Sequence, residues 1–372
     1  MKVNVWGSVL GEQGYDSHCR GLIQGLVDAG VDVVAECPLV ELWDRNPHLN
    51  DKLRTVLRKK PDKRAITLAV VQPPVWKYKL SDRPVQFFGM FVFEGDKVPK
   101  DWCGIAMDER VTGIIVPSKH TYDAVLATEP RLKDKTFIVS HGVDLSLFKP
   151  GKPIENFSAL VNEEKCTFVW NKGWANGAND RSGFDILLKA YSEEFTKDDP
   201  VRMLVHVNKA YCPPGWDFQN EVRKTGLELG TMQQVVYLQN QFEFNKIPNI
   251  YQLGHYVLSC SKAEAFNLPV LEGMACGLVP ICPDNGGEVD FVNDLNGIVF
   301  PAQTVIPAFG GFLYNGISWK KAEVTDVRKA LRKALVEWQS KDVYNAKKEK
   351  ALEVVKGLTW KNTAEKIMGL LK

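Results

Sequence analysis

The chain has 372 residues, too many for one simple core, so two domains are the default. Apolar residues make up 45% and charged residues 25%, as in ordinary globular proteins, and a net charge of +2 argues against a general affinity for nucleic acid or other polyanions. No apolar run approaches the roughly 18 residues of a membrane-spanning helix, and the N-terminal MKVNVWGSVLGEQGYD enters a strand directly, without a signal-peptide pattern. Eight cysteines are scattered with no C-x-x-C pair, which points to reduced, mostly buried thiols in a cytoplasmic protein.

Residues 2–7 (KVNVWG) read as a short apolar strand. Gly7, Gly11 and Gly14 follow, and residues 15–29 then carry apolar or small side chains at helical spacing, stopped by Gly30. VDVVAE is the second strand. A βαβ opening with a glycine-containing first loop lets the backbone approach a phosphate or sugar closely, although the spacing is not G-x-G-x-x-G. That departure disfavours an NAD-dependent oxidoreductase. Residues 47–64 are basic, with Leu49, Leu53, Val56 and Leu57 on one helical face. Such a helix could rest on anionic lipid as a peripheral membrane contact, but a surface helix packed on the sheet is the preferred reading. AITLAVVQPP, VQFFGMFVFE and TGIIVPS read as three further buried strands. Ser118 can cap the helix that follows, and His120 lies in its first turn. Residues 149–165, rich in Pro, Gly, Asn and charge, make a linker.

Beyond the linker, residues 167–172 read as a strand, 201–209 and 234–239 as two more, 218–229 as a helix and 247–253 as a short helix. The densest stretch runs from Tyr256 to Gly297. Residues 256–260 read as a buried parallel strand, 261–267 as a small polar loop, 269–277 as a helix opened by Pro269 and closed by Gly277, and 279–283 (VPICP) as a second buried strand. A loop between a strand and a helix N-terminus is an anion site, because the first helical turn has unpaired N–H groups and the positive end of the dipole. Asn267 and Leu268 can present those donors. Glu264 lies in the loop, at the carboxyl end of a strand, and Glu272 lies within the helix. One acid beside the phosphates and one deeper would suit a nucleotide sugar. Two amphipathic helices, 323–338 and 343–356, and a closing helix complete the chain.

The phrase E-A-F-N-L-P-V-L-E (264–272) resembles the E-x7-E signature, usually E-G-F-G-L-P-x-L-E, of retaining GT-B glycosyltransferases of the family 4, glycosyl transferases group 1, type. Met274-Ala275-Cys276-Gly277-Leu278-Val279-Pro280 and Gly286-Gly287-Glu288 continue the likeness. Arg181-Ser182-Gly183-Phe184-Asp185 is similar to the family's R-K-G-x-D, with Ser182 where the lysine is usual. Asn171-Lys172 falls where the family has Gly-Arg, and residues 137–150 resemble the ending of its first domain.

This resemblance implies an α/β fold of two Rossmann-like domains facing a central cleft. Residues 1–150 would form an acceptor domain, joined by the closing helix 359–372, and residues 151–358 a nucleotide-sugar donor domain. It implies transfer of a hexosyl group from a UDP- or GDP-sugar to a hydroxyl acceptor, a glycan or a lipid-linked one, with retention. Glu264 would orient the sugar, Lys172 and Arg181 would clamp the diphosphate, and Glu272 would hold the ribose. Gly11, Gly14, Gln239, Asn240, Ala265, Phe266, Asn267 and Leu268 would complete the donor site. Glu94 and Asp96, in a stretch like the E-x-D-x-x-P-x-x-W of some members, and His120 would stand on the acceptor side. There is no D-x-D triplet and no metal-ligand spacing among the histidines and cysteines, so no metal or other cofactor is expected. A non-catalytic nucleotide-sugar-binding protein, suggested by Ser182, or another GT-B enzyme such as a sugar-nucleotide epimerase, are the alternatives.

Overall fold

A computed structural model describes residues 1–11, 13–37, 46 and 49–372. The chain packs as two compact units. One comprises Met1–Asp144, Phe312–Ile317 and Gly357–Lys372, the other Leu145–Gly311 and Ser318–Lys356. The change-over thus falls between Asp144 and Leu145 rather than at residue 150, and a short piece of the late chain packs with the first unit.

In the first unit six parallel strands, β1 (Lys2–Gly7), β2 (Asp32–Glu36), β3 (Ile66–Val70), β4 (Phe87–Met90), β5 (Gly113–Val116) and β6 (Thr136–Ile138), stand in the order β2-β1-β3-β4-β5-β6. Every residue of β4 and β5 is buried, as near-continuous apolar runs covered on both faces must be. The first helix, Gly14–Asp28, packs on the closing helix, Trp360–Leu370. Glycines set how close they come: a Cβ on Gly21 or Gly142 would collide with Trp360, the first with its ring and the second with its backbone. Under that indole, His18 and His141 lie with ring centroids 4.0 Å apart, both almost fully buried. His18 is therefore a packing histidine, and burial pushes its imidazole down to about 3.

Pro47 and His48 of the basic segment lie outside the described residues. The rest forms a helix over Asp51–Leu57, and Leu49, Leu53, Val56 and Leu57 are buried in the core of their own unit. Its apolar face is thus already covered by protein, while Lys52 and Lys59 pair with Asp28 and Asp32 at the surface. Among the described residues no helix is long and apolar enough to cross a membrane.

The second unit has six parallel strands, β7 (Cys166–Lys172), β8 (Val201–Val207), β9 (Val235–Leu238), β10 (Tyr256–Leu258), β11 (Val279–Pro283) and β12 (Ile298–Phe300), in the order β12-β11-β10-β7-β8-β9. Along this sheet the chain runs outward from β7 through β8 to β9, and then returns to the other side of β7 for β10, β11 and β12. The direction of winding therefore reverses between β7 and β10, as in doubly wound folds. The core of the unit is aromatic, with Phe168, Trp170, Trp174, Phe184 and Phe218 each at most 1% exposed. The helix expected over 218–229 ends at Lys224, where Gly226 takes a left-handed φ of +79°. The stretch after Phe300 forms an antiparallel hairpin, β13 (Thr304–Pro307) and β14 (Ser318–Lys321). All eight cysteines are free thiols.

Candidate functional site

Open α/β sheets bind ligands beyond the carboxyl ends of their strands where strand order reverses. In the second unit that point lies between the ends of β7 and β10, and a polar cluster occupies it. Lys172 is the last residue of β7; Ser259 and Ser261 leave β10, and Glu264 follows them in the loop.

The Lys172 ammonium, 6% exposed, donates to Glu264 Oε1 at 2.9 Å, to Ser261 Oγ at 2.9 Å and to Ser259 Oγ at 3.1 Å. An ammonium has three N–H donors, so this one is saturated by the protein. Arg181 Nη1 reaches Glu264 Oε2 and the Ala263 carbonyl, both at 2.8 Å. Both oxygens of Glu264 are thus held by cations. Burial opposes its ionisation, but the Arg181 and Lys172 charges outweigh burial and hold the carboxyl well below the usual carboxylate range.

The strand expected over 256–260 ends at Leu258, and the helix runs over Leu268–Ala275, bringing Glu272 onto its buried side. Glu272 Oε2 accepts from Tyr251 Oη at 3.2 Å, and Tyr251 Oη accepts from Asn171 Nδ2 at 2.9 Å. The neighbour of Lys172 on β7 therefore supports, through Tyr251, the acid predicted to hold a ribose. Asn267 precedes the helix in a left-handed conformation, φ +76°. Phe266 is buried against Phe291, and a Cβ on Gly287 would collide with the Ala265 carbonyl, so the glycine pair packs directly on the loop.

Arg181 lies on a tightly fastened turn. The Asp180 carboxylate accepts the amides of Ala175, Asn176 and Ser182. Trp174 is fully buried and donates to the Gly177 carbonyl at 3.2 Å. Ser182, where the family lysine would stand, is buried, and its hydroxyl has no hydrogen-bond partner among the described residues. Another lysine fastens the turn: Lys262, 3% exposed, donates to the carbonyls of Ala178 at 2.6 Å and Asp180 at 2.8 Å and lies 3.6 Å from the Asp185 carboxylate. Lys262 has no motif signature, and Glu288 belongs to the family-like Gly286-Gly287-Glu288 stretch, which by itself assigns it no role. The one available signal for Lys262 is a lysine immediately after a buried apolar run; for Glu288 it is an acid directly after a glycine pair.

The remaining candidates lie elsewhere. Gln239 and Asn240 are exposed at the carboxyl end of edge strand β9, two strands from β7, and the Gln239 carbonyl accepts from Lys209 at 3.0 Å. Gly11, Gly14, Glu94, Asp96 and His120 belong to the first unit. There the glycine loop is tied by two residues that the sequence did not single out: Asp16 accepts the Gly11 amide at 3.0 Å and the Ser8 hydroxyl, and Arg20 donates to the Gly11 carbonyl at 2.6 Å. Gly14 opens the helix. His120 Nε2 lies 3.2 Å from the Glu94 carbonyl, the Glu94 carboxylate accepts from Tyr314 Oη at 3.0 Å, and Asp96 is exposed.

The family model described as Glycosyl transferases group 1 matches residues 177–307. The chain is 26% identical over 156 residues to the D-inositol 3-phosphate glycosyltransferase of Frankia alni, covering 41% of this chain and 37% of that protein. The match thus spans little more than a third of that relative's length. Among solved structures, that of Anabaena Alr3699/HepE in complex with UDP and glucose aligns with a TM-score of 0.68 at 14% identity, over 100% of this chain and 99% of that one. A glycosyltransferase from Rickettsia africae aligns with a TM-score of 0.72 at 15% identity, over 99% and 97% of the two chains. The protein is therefore of the GT-B fold class. Within that class it carries, over residues 177–307, a glycosyl transferases group 1 region, and the cluster around Glu264 lies on it except for Lys172.

Proposed function

We propose that this protein is a retaining glycosyltransferase that moves a hexosyl group from a nucleoside diphosphate sugar to a hydroxyl acceptor. The observation that carries the reading is the strand-reversal cluster: a carboxylate held by two cations, a buried helical acid further along, and a helix N-terminus between them. A diphosphate fits the N–H groups there. UDP is favoured over GDP because the structurally similar Anabaena protein is in complex with UDP and glucose. Glu264, kept ionised, faces the anomeric carbon and stabilises positive charge as the bond to the diphosphate breaks. Arg181 stabilises the departing phosphate. The saturated donors of Lys172 make it a holder of Glu264 first and a diphosphate ligand only if it exchanges a partner. The reading invokes no metal: Arg181 and the N–H groups at the helix N-terminus carry the leaving-group charge. A glycan or lipid-linked alcohol serves as acceptor.

A thermal-shift titration with UDP, GDP and ADP on wild type and Glu272→Ala tests the donor site. Ligand at a hundred times its dissociation constant adds about 2.7 kcal/mol. A shift with UDP that is lost in the variant is expected; no shift with any nucleotide would sink the reading. The internal saturation of Lys172 is also what a non-catalytic nucleotide-sugar binder would show. Transfer of labelled sugar to any acceptor decides against that alternative.

A further inference from the structure

Glu288 follows the Gly286-Gly287 turn beyond β11 and has no solvent exposure. Its Oε1 accepts from Asn267 Nδ2 at 2.9 Å, and its Oε2 has no hydrogen-bond partner among the described residues. The same Asn267 amide donates to Ser259 Oγ at 2.9 Å, and that hydroxyl accepts from Lys172. Glu288 is thus joined to the Lys172–Glu264 pair through two side chains. Two backbone features depend on it. Asn267 takes a left-handed conformation where the usual motif has glycine; asparagine tolerates this, and its amide then needs the partner that Glu288 supplies. Gly286 has φ +94°, and a Cβ there would lie 2.6 Å from Glu288 Oε2.

A buried carboxylate held only by the Asn267 amide and its own backbone N–H, with a second carboxylate nearby, costs more than the neutral acid. Burial first, and then the charge of Glu264, push the Glu288 carboxyl up to about 8 against the pull of Lys172. Among the described residues three titratable groups face it. They are Glu264 from the loop, Lys172 from β7 and Cys282 from β11, whose thiol is itself pushed up by burial and by Glu288.

We infer that Glu288 is a positioning residue whose carboxylic acid proton keeps the Lys172–Arg181–Glu264 group net positive, so that this group holds a nucleoside diphosphate only while Glu288 is neutral. With Glu288 neutral, two cations and one carboxylate leave one positive charge; release of the proton to water leaves none. This inference rests on the donor-site reading above.

The test pairs UDP affinity by calorimetry with urea unfolding, on wild type and Glu288→Gln. The affinities are taken at pH 7 and 8.5, above the phosphate titration near pH ~6 and below the loss of the uracil N3 proton. Wild-type affinity is expected to fall about fourfold between the two pH values, while that of E288Q stays level. Unfolding reads the proton without nucleotide. Below the usual carboxylate range Glu288 is protonated in both folded and unfolded chains. As pH rises towards the folded value only the unfolded chain releases its proton, so wild type loses stability that E288Q keeps, and the gap between them widens from pH 5 to pH 8. A gap that stays constant overturns the proton-holding role whether or not UDP binds. A pH dependence of UDP affinity that persists in E288Q overturns the link to the donor. A widening gap with no UDP binding by wild type at any pH places the failure in the donor-site reading, and the nucleotide part of this inference falls with it. Should E288Q not fold, carbon-13 carboxyl spectra of glutamate-labelled wild type must show one carboxyl titrating above pH 7; absence of that signal overturns the role equally.

Discussion

Lys172 Nζ lies 2.9 Å from Glu264 Oε1, and the two other acceptors of that ammonium are hydroxyls of the chain leaving the neighbouring strand. The last residue of β7 and the loop after β10 are therefore held together by one buried cation. This pair gives the strand-order reversal a fixed polar cluster: Lys172 holds the carboxylate, and the carboxylate in turn holds Arg181.

Removing Lys172 leaves the buried Glu264 carboxylate with Arg181 as its remaining cation, and takes the donor from Ser259 and Ser261. Lys172→Met should lower the free energy of unfolding by about 3–5 kcal/mol, measured by urea denaturation. Adding Glu264→Gln to that variant should restore part of the loss, because the buried carboxylate that has lost one of its two cations becomes neutral. If the two single effects add to within about 0.5 kcal/mol, the residues are not coupled as described.

Acid stability should be limited by the histidines under Trp360. Burial holds His18 down to about 3 and lowers His141 too, the latter helped by His18 itself. Above the ordinary imidazole range neither state binds the proton. As pH falls below that range the unfolded chain takes it up and the native chain does not, so stability is lost progressively down to the folded value, at up to ~1.4 kcal/mol per pH unit for each histidine. His18→Leu should flatten the fall of unfolding free energy between pH 6.5 and 4.5. An unchanged slope would mean that His18 is not charged in the unfolded chain alone.

Gly183 occupies a left-handed conformation, φ +63°, and a Cβ there would collide with the Cys260 carbonyl. It thereby presses the Arg181 turn onto the chain leaving β10. Gly183→Ala should cost at least about 1–3 kcal/mol through backbone strain alone, and it should weaken UDP binding as Arg181 moves. Gly215→Ala, at φ +77° with open space around it, carries the strain without the collision and serves as the control. Equal losses of UDP affinity in both variants would disprove the special role of the Gly183 approach.

Much of this could be read from the chain alone. β11 falls over 279–283 as expected, and the helix after Asn267 begins one residue before Pro269, because a buried apolar run and a proline at the first turn are local signals. Glu264 and Glu272 were visible for the same reason: their spacing is written along one loop and one helix. Ser182 could be seen as a departure from the motif, but not its consequence, since the lysine that fastens the turn comes from position 262.

By itself the sequence determined two Rossmann-like sheets and placed Glu264 in a loop and Glu272 in the helix that follows it, all properties of short segments. The tertiary structure alone decided that Lys172 gives its donors to Ser259, Ser261 and Glu264, that Tyr251 supports Glu272, and that Glu288 lies buried behind Asn267. Each of these joins residues far apart in the chain. Whether a buried charge is paired or left alone depends on which strands become neighbours, and strand order is settled only when the whole sheet packs.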